Sequence, residues 1–207
     1  MTFKRIIRGY SSIVRSQRYT IECIQKMKLN GKKIPMITCY DYTSALMINK
    51  TKIPMILVGD SIGNNIFGYE NTISVTLEDM IKASRSVIKG NDKALIITDM
   101  PFLTYCLDIN FTIENVRRLI QETNIQGIKI EGTNNNELIK RLVDFGVPVM
   151  GHMGYIPQSI NMIGKYKRLG CDKLLYDKMM EEAIELEKSG IFSLVLELVD
   201  PKLARDI

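Results

Sequence analysis

A chain of 207 residues with 45% apolar and 25% charged side chains can bury the core of one ordinary domain, which argues against a mainly disordered protein. No uninterrupted apolar run approaches the roughly 20 residues that span a bilayer, so no membrane-spanning helix is expected. The net charge of +5 is local: Lys4, Arg5, Arg8, Arg15 and Arg18 precede the first acid, Glu22, and the remaining chain is balanced, so no nucleic-acid-binding face is expected. The four cysteines, at 23, 39, 106 and 171, form no CxxC pair, and His152 is the sole histidine. That pattern speaks against a Cys/His zinc site and for reduced thiols.

In the N-terminal segment Phe3, Ile6, Ile7, Tyr10, Ile13 and Val14 recur at helical spacing among arginines and serines. An acid-free, Arg-rich amphipathic start reads as a mitochondrial transit segment. The plain alternative is a basic leading helix that stays attached in the cytoplasm. Residues 1–21 are therefore set apart from a single domain over 22–207.

From Lys33 onward strand and helix signals alternate. The strand candidates are Ile34–Tyr40, Pro54–Val58, Ala94–Thr98, Gly127–Ile130, Val147–Gly151 and Phe192–Leu198. Their near-continuous apolar character suits parallel strands buried on both faces. Between them, Thr76 caps a helix over Leu77–Ile88, and Thr112 caps one over Ile113–Thr123. Further helices run over Glu137–Asp144 and Lys173–Lys188, stopped by Gly146 and Gly190, and another begins at Pro201. No Gly-rich phosphate-binding fingerprint follows any strand.

Polar groups decide between an open sheet and a barrel. Asp41, Gly59-Asp60-Ser61, Asp99, Glu131-Gly132, Gly151-His152 and Glu197 stand at or near successive strand ends. A (β/α)8 TIM barrel gathers such ends around one mouth, whereas an open sheet leaves some far apart. The α/β barrel is the expected fold. A full barrel needs eight strands and about 250 residues, so this chain reads as C-terminally truncated after about six strands, with the last two βα units missing.

Asp60, Asp99 and Glu131 crowded at one mouth require a counter-charge, and an all-oxygen ligand set favours Mg2+. Helix or loop capping is the plain alternative for each acid. Lys129 lies two residues before Glu131 and so shares its side of the strand. Glu197, alone in an apolar strand, is a candidate general base whose pKa burial would raise; pairing with Lys129 is the alternative. His152 is either a hydrogen-bonded loop residue or a group that orients a substrate oxygen. Cys39 is expected to be packed rather than reactive. The loop over residues 63–71 is expected to close over the site.

These residues fall within ordered motifs: Thr38-Cys39-Tyr40-Asp41-Tyr42, Leu57-Val58-Gly59-Asp60-Ser61-Ile62-Gly63, and Thr98-Asp99-Met100-Pro101-Phe102. Ile128-Lys129-Ile130-Glu131-Gly132, Gly151-His152-Met153-Gly154-Tyr155-Ile156-Pro157-Gln158-Ser159 and Leu194-Val195-Leu196-Glu197 follow. The set resembles the ketopantoate hydroxymethyltransferase family. The resemblance implies a barrel of the phosphoenolpyruvate/pyruvate type. It also implies transfer of a one-carbon unit from 5,10-methylenetetrahydrofolate to 3-methyl-2-oxobutanoate, giving 2-dehydropantoate. By the same resemblance Asp60, Asp99 and Glu131 are metal-site carboxylates, and Asp60 and Ser61 hold the keto acid. Asp99 and Lys129 also bind substrate, and Glu197 accepts the proton. Another Mg2+-dependent 2-oxo acid lyase and a non-catalytic remnant are the alternatives. Small molecules are the expected partners, with neither nucleic acid nor membrane, and a homo-oligomer is the expected assembly.

Overall fold

The computed structural model describes residues 18–105 and 108–207. In chain order the elements are α1 (Ile21–Leu29), β1 (Met36–Thr38), α2 (Tyr42–Asn49), β2 (Met55–Val58), a π-helical turn at Gly63–Phe67 and α3 (Leu77–Gly90). Then come β3 (Leu95–Asp99), α4 (Ile109–Thr123), β4 (Gly127–Glu131), α5 (Asn136–Asp144) and β5 (Val149–Gly154). A 3-10 turn at Pro157–Ser159 leads into α6 (Ile160–Ile163), followed by α7 (Lys173–Lys188), β6 (Ser193–Glu197) and α8 (Pro201–Asp206).

The six strands lie in sequential order and every neighbouring pair is parallel. Right-handed crossovers stepping one strand at a time put the helices on one face of the sheet. Strand alternation then sorts the side chains. Ile56, Val58, Ile96, Ile128, Ile130, Val149 and Met153 enter the larger core, which includes Met80, Val87, Leu119, Ile139 and Leu186 from the helices. Met55, Leu95, Ile97 and Met150 belong to a second cluster built around Ile24 of α1. Flat geometry would hold β2 and β5 about 14 Å apart. Met55 of β2 and Met150 of β5 nevertheless share that cluster, so the sheet curls around α1.

The predicted fold is present as six consecutive strand units of a curled parallel sheet. No seventh or eighth strand occurs among the described residues, and β1 does not pair with β6. The consequence is visible in burial: every residue of β3 and β4 is buried, those of β1 are exposed, and those of β6 are half-buried.

Several local expectations need correction. α4 starts at Ile109 under an Asp108 cap; Thr112 lies inside the helix, where its hydroxyl donates to the Asp108 carbonyl at 2.9 Å. The expected closing loop begins instead as the π-helical turn. α1 and α2, whose apolar periodicity is weak, add to the expected elements. The Thr76 cap holds as a full capping box with Asp79.

Of the expected targeting segment, residues 1–17 lie outside the described residues. Arg18 donates to the Ala94 and Asn91 carbonyls at 2.7 and 2.6 Å, and the Tyr19 amide donates to the Lys93 carbonyl at 2.7 Å. These contacts fasten the start of α1 beneath β3. Among the described residues no helix is long and apolar enough to cross a membrane.

Candidate active site

The site lies at the C-terminal ends of the strands. After β2 the chain turns sharply at Gly59, where an added Cβ would come 2.8 Å from Ser61 Oγ and 3.5 Å from Asp99 Oδ2. Glycine there lets Asp60 reach β3, and its amide donates to Asp99 Oδ2 at 3.1 Å. The strand register sets Asp99 beside Lys129, and Glu131 beside His152. Lys129 Nζ lies 2.6 Å from Asp99 Oδ1 and 3.5 Å from Glu131 Oε1. His152 Nδ1 lies 3.2 Å from Glu131 Oε1, and Nε2 lies 3.4 Å from Glu197 Oε2. Both approaches are out of line for a hydrogen bond, so the buried ring nitrogens have no hydrogen-bonded partner.

Glu197 is placed by a glycine on the neighbouring strand. Gly154 has φ of +99°, and an added Cβ there would meet the Glu197 carbonyl at 2.2 Å. This close approach lets the Tyr155 amide donate to that carbonyl at 2.8 Å. The Glu197 carboxylate therefore stands next to His152. The alternative pairing with Lys129 is not made, because Lys129 is taken by Asp99 and Glu131.

Asp60, Asp99, Lys129, Glu131 and His152 are each at most 5% exposed. Burial, with the Asp99 and Glu131 charges, pushes the Asp60 carboxyl up to about 7. For Lys129 burial works against the charge, yet Asp99 and Glu131 outweigh it and hold the pKa above the ordinary value. Glu131 is likewise opposed by burial, but His152 and Lys129 bring it below the carboxylate range. Glu197 is raised, chiefly by burial. Ser61 Oγ lies 2.9 Å from the Tyr40 hydroxyl, which accepts from Asn65 Nδ2 at 3.0 Å. Cys39 is buried, as expected, and lies 3.6 Å from the Asp41 carbonyl. Asp41 caps α2 and takes no part in the cluster.

The three carboxylates expected at a metal site share this buried network. No three Asp, Glu, His or Cys side chains among the described residues converge as a preformed cage. Their chemistry still suits a hard cation. Three carboxylates face a single buried ammonium, and burial together with the Asp99 and Glu131 charges holds the Asp60 carboxyl toward its neutral form.

Comparison with known proteins identifies the family. Residues 18–207 match the family model described as ketopantoate hydroxymethyltransferase. The chain is 45% identical over 191 residues to the 3-methyl-2-oxobutanoate hydroxymethyltransferase of Roseiflexus sp. (strain RS-1), covering 92% of this chain and 68% of that protein. This chain belongs to the ketopantoate hydroxymethyltransferase family. It spans about two-thirds of the length of that relative. Among solved structures, 2,3-dimethylmalate lyase, a member of the PEP mutase/isocitrate lyase superfamily, matches with TM-score 0.65 at 13% identity, over 92% of this chain and 65% of that one. Phosphonopyruvate hydrolase, in a complex with oxalate and Mg2+, matches with TM-score 0.64 at 8% identity, over 86% of this chain and 62% of that one. At such identities the likeness is one of fold.

Three residues of this family member went unassigned in the sequence: Tyr40, Tyr105 and Gln158. All lie in or beside the quoted motifs, which was the available signal. Gln158 Nε2 donates to Asp60 Oδ2 at 2.8 Å and to the Met100 carbonyl at 3.0 Å, while Tyr105 donates to Gln158 Oε1 at 2.8 Å.

Proposed function

We propose that this chain transfers a hydroxymethyl group from 5,10-methylenetetrahydrofolate to 3-methyl-2-oxobutanoate, giving 2-dehydropantoate and tetrahydrofolate. The observation that carries the reading is 45% identity to a named 3-methyl-2-oxobutanoate hydroxymethyltransferase across 92% of the chain. The lyase alternative has only fold likeness behind it. In the proposed site Asp60 and Asp99 hold Mg2+ with Glu131 as the third carboxylate, and Asp60 and Ser61 hold the keto acid. The ion, when bound, supplies Lewis acidity toward the negative charge of an enolate. Glu197 removes the proton from C3 of the keto acid, a role suited by its raised pKa and half-exposed carboxylate. Lys129 keeps its charge and offsets negative charge on the substrate. His152 stands beside the Glu197 carboxylate, Nε2 3.4 Å from Oε2. The enolate carbon then bonds to the folate-borne methylene, both C–N bonds to that carbon break, and water supplies the hydroxyl oxygen, while the C3 proton and one water proton go to the two nitrogens of the departing tetrahydrofolate.

The test is exchange of the C3 hydrogen of 3-methyl-2-oxobutanoate with deuterated water, followed by proton NMR with Mg2+ and no folate. Exchange by the folded chain, with 2-dehydropantoate appearing once the folate is added, supports the proposal. Carbon–carbon cleavage without folate favours a lyase, and a magnesium-binding chain that exchanges nothing favours the remnant.

Two expectations join the proposal. Self-association is supported by an apolar groove between α4 and α5, lined by Ile113, Val116, Ile120, Leu142, Phe145 and Val147; a monomer in light scattering removes it. The relatives are bacterial and give mitochondrial import no support, so that reading rests on residues 1–17 alone. Replacing Arg5, Arg8 and Arg15 with Glu should strand a tagged import substrate in the cytosol, and an unmoved protein ends the idea.

A further inference from the structure

Gln158 is 4% exposed and sits in the turn that follows β5, yet it touches groups from three other strand ends. Its amide nitrogen has two protons and meets two acceptors, Asp60 Oδ2 at 2.8 Å and the Met100 carbonyl at 3.0 Å. The Met100 carbonyl has no proton to give an amide oxygen, so the flipped amide is excluded. On the other side Gln158 Oε1 accepts from the Tyr105 hydroxyl at 2.8 Å, and that hydroxyl also reaches the Glu131 carbonyl at 3.3 Å. The Gln158 backbone amide points at Glu131 Oε2, 3.3 Å away. One residue thus contacts two of the three carboxylates, and a buried tyrosine holds its orientation.

We propose that Gln158 is a positioning residue. Its side chain engages Oδ2 of Asp60, leaves Oδ1 to the cation and keto acid, and is itself held by Tyr105. The inference rests on the Mg2+ reading given above. A neutral donor suits the task because a lysine or arginine at this place would neutralise the carboxylate that has to attract the cation. Outer-shell partners of this kind, when removed, weaken metal affinity by about 10–100-fold.

Mn2+ serves as the probe, its free fraction read by electron paramagnetic resonance with the full chain, with and without 3-methyl-2-oxobutanoate. Gln158→Met keeps the volume and removes the donors; it should weaken Mn2+ binding by about 10–100-fold. Tyr105→Phe keeps the buried ring and frees the amide, and should shift affinity in the same direction by a smaller factor. C3 hydrogen exchange should need more Mg2+ for half-saturation in both variants but return toward the wild-type rate when Mg2+ saturates. A merely structural role would lower the rate at every Mg2+ concentration and overturn the proposal. Wild-type affinity in both folded variants also overturns it, while leaving the metal reading intact. Should Gln158→Met not fold, unchanged affinity in Tyr105→Phe is sufficient to overturn it. A wild-type chain that binds no Mn2+ sinks the metal reading itself and this inference with it.

Discussion

The ends of β3 and β4 differ from the ends of β5 and β6 in how their charges are held. Lys129 sits between Asp99 and Glu131, all buried, with the lysine pKa raised and that of Glu131 lowered. On the other side His152 has two close carboxylates but no aligned hydrogen bond, and Glu197 keeps 37% of its side chain exposed with its pKa raised. Among the described residues β3 and β4 have neighbours on both sides, and β6 pairs with β5. Lys129 and Glu131 each favour the charged form partly because the other lies beside it. The Glu197 carboxylate is partly exposed and its pKa is raised, chiefly by burial, the combination a proton acceptor needs.

The largest test of that contrast is Glu197→Gln. If the edge carries the proton transfer, C3 exchange should fall by about 10²–10⁴-fold, read by NMR, while the thermal midpoint stays near wild type. Equal exchange would put the base elsewhere. Lys129→Met attacks the enclosed side, leaving Asp99 and Glu131 buried without their counter-charge. Chemical denaturation should report a loss of about 3–5 kcal/mol. A neutral outcome would mean that the enclosed network is not the rigid half.

Acidity offers a third test. The Asp60 carboxyl is pushed from its ordinary 3.8 up to about 7, so the folded chain holds a proton that the unfolded chain releases over that range. Stability of the metal-free chain should therefore fall as pH rises from about 4 to about 7, by roughly 3 kcal/mol, with Asp60→Asn flattening the slope. Denaturant melts in the presence of a chelator check this, and an identical slope in the variant would assign the proton to another group. The smallest effect is a control far from both ends. Thr76→Ala removes the capping box of α3 and should cost about 1 kcal/mol without altering exchange.

Much of the fold was legible because its signals are local. Apolar runs marked all six strands, Gly146 and Gly190 marked helix ends with φ of +86° and +90°, and the spacing of Lys129 and Glu131 placed both on one side of β4. A strand alternates with period two whatever surrounds it, so such statements need no partner. The start of α4 is ambiguous in the sequence because Asp108 and Thr112 both have the chemistry of a cap, and only the path of the chain chooses between them.

The sequence by itself determined which residue types arrive at the strand ends, and its ordered motifs determined the family. Tertiary structure decided how those groups pair. Lys129 takes Asp99 rather than Glu197 because parallel register sets residues 99 and 129 side by side. Gln158 reaches Asp60, 98 residues away, because the sheet curls and carries the turn after β5 back toward β2. His152 comes between Glu131 and Glu197 because Gly154 lets β5 and β6 meet closely at their ends. Register, curl and close approach depend on distances between strands, and those distances are set only when the apolar faces have packed.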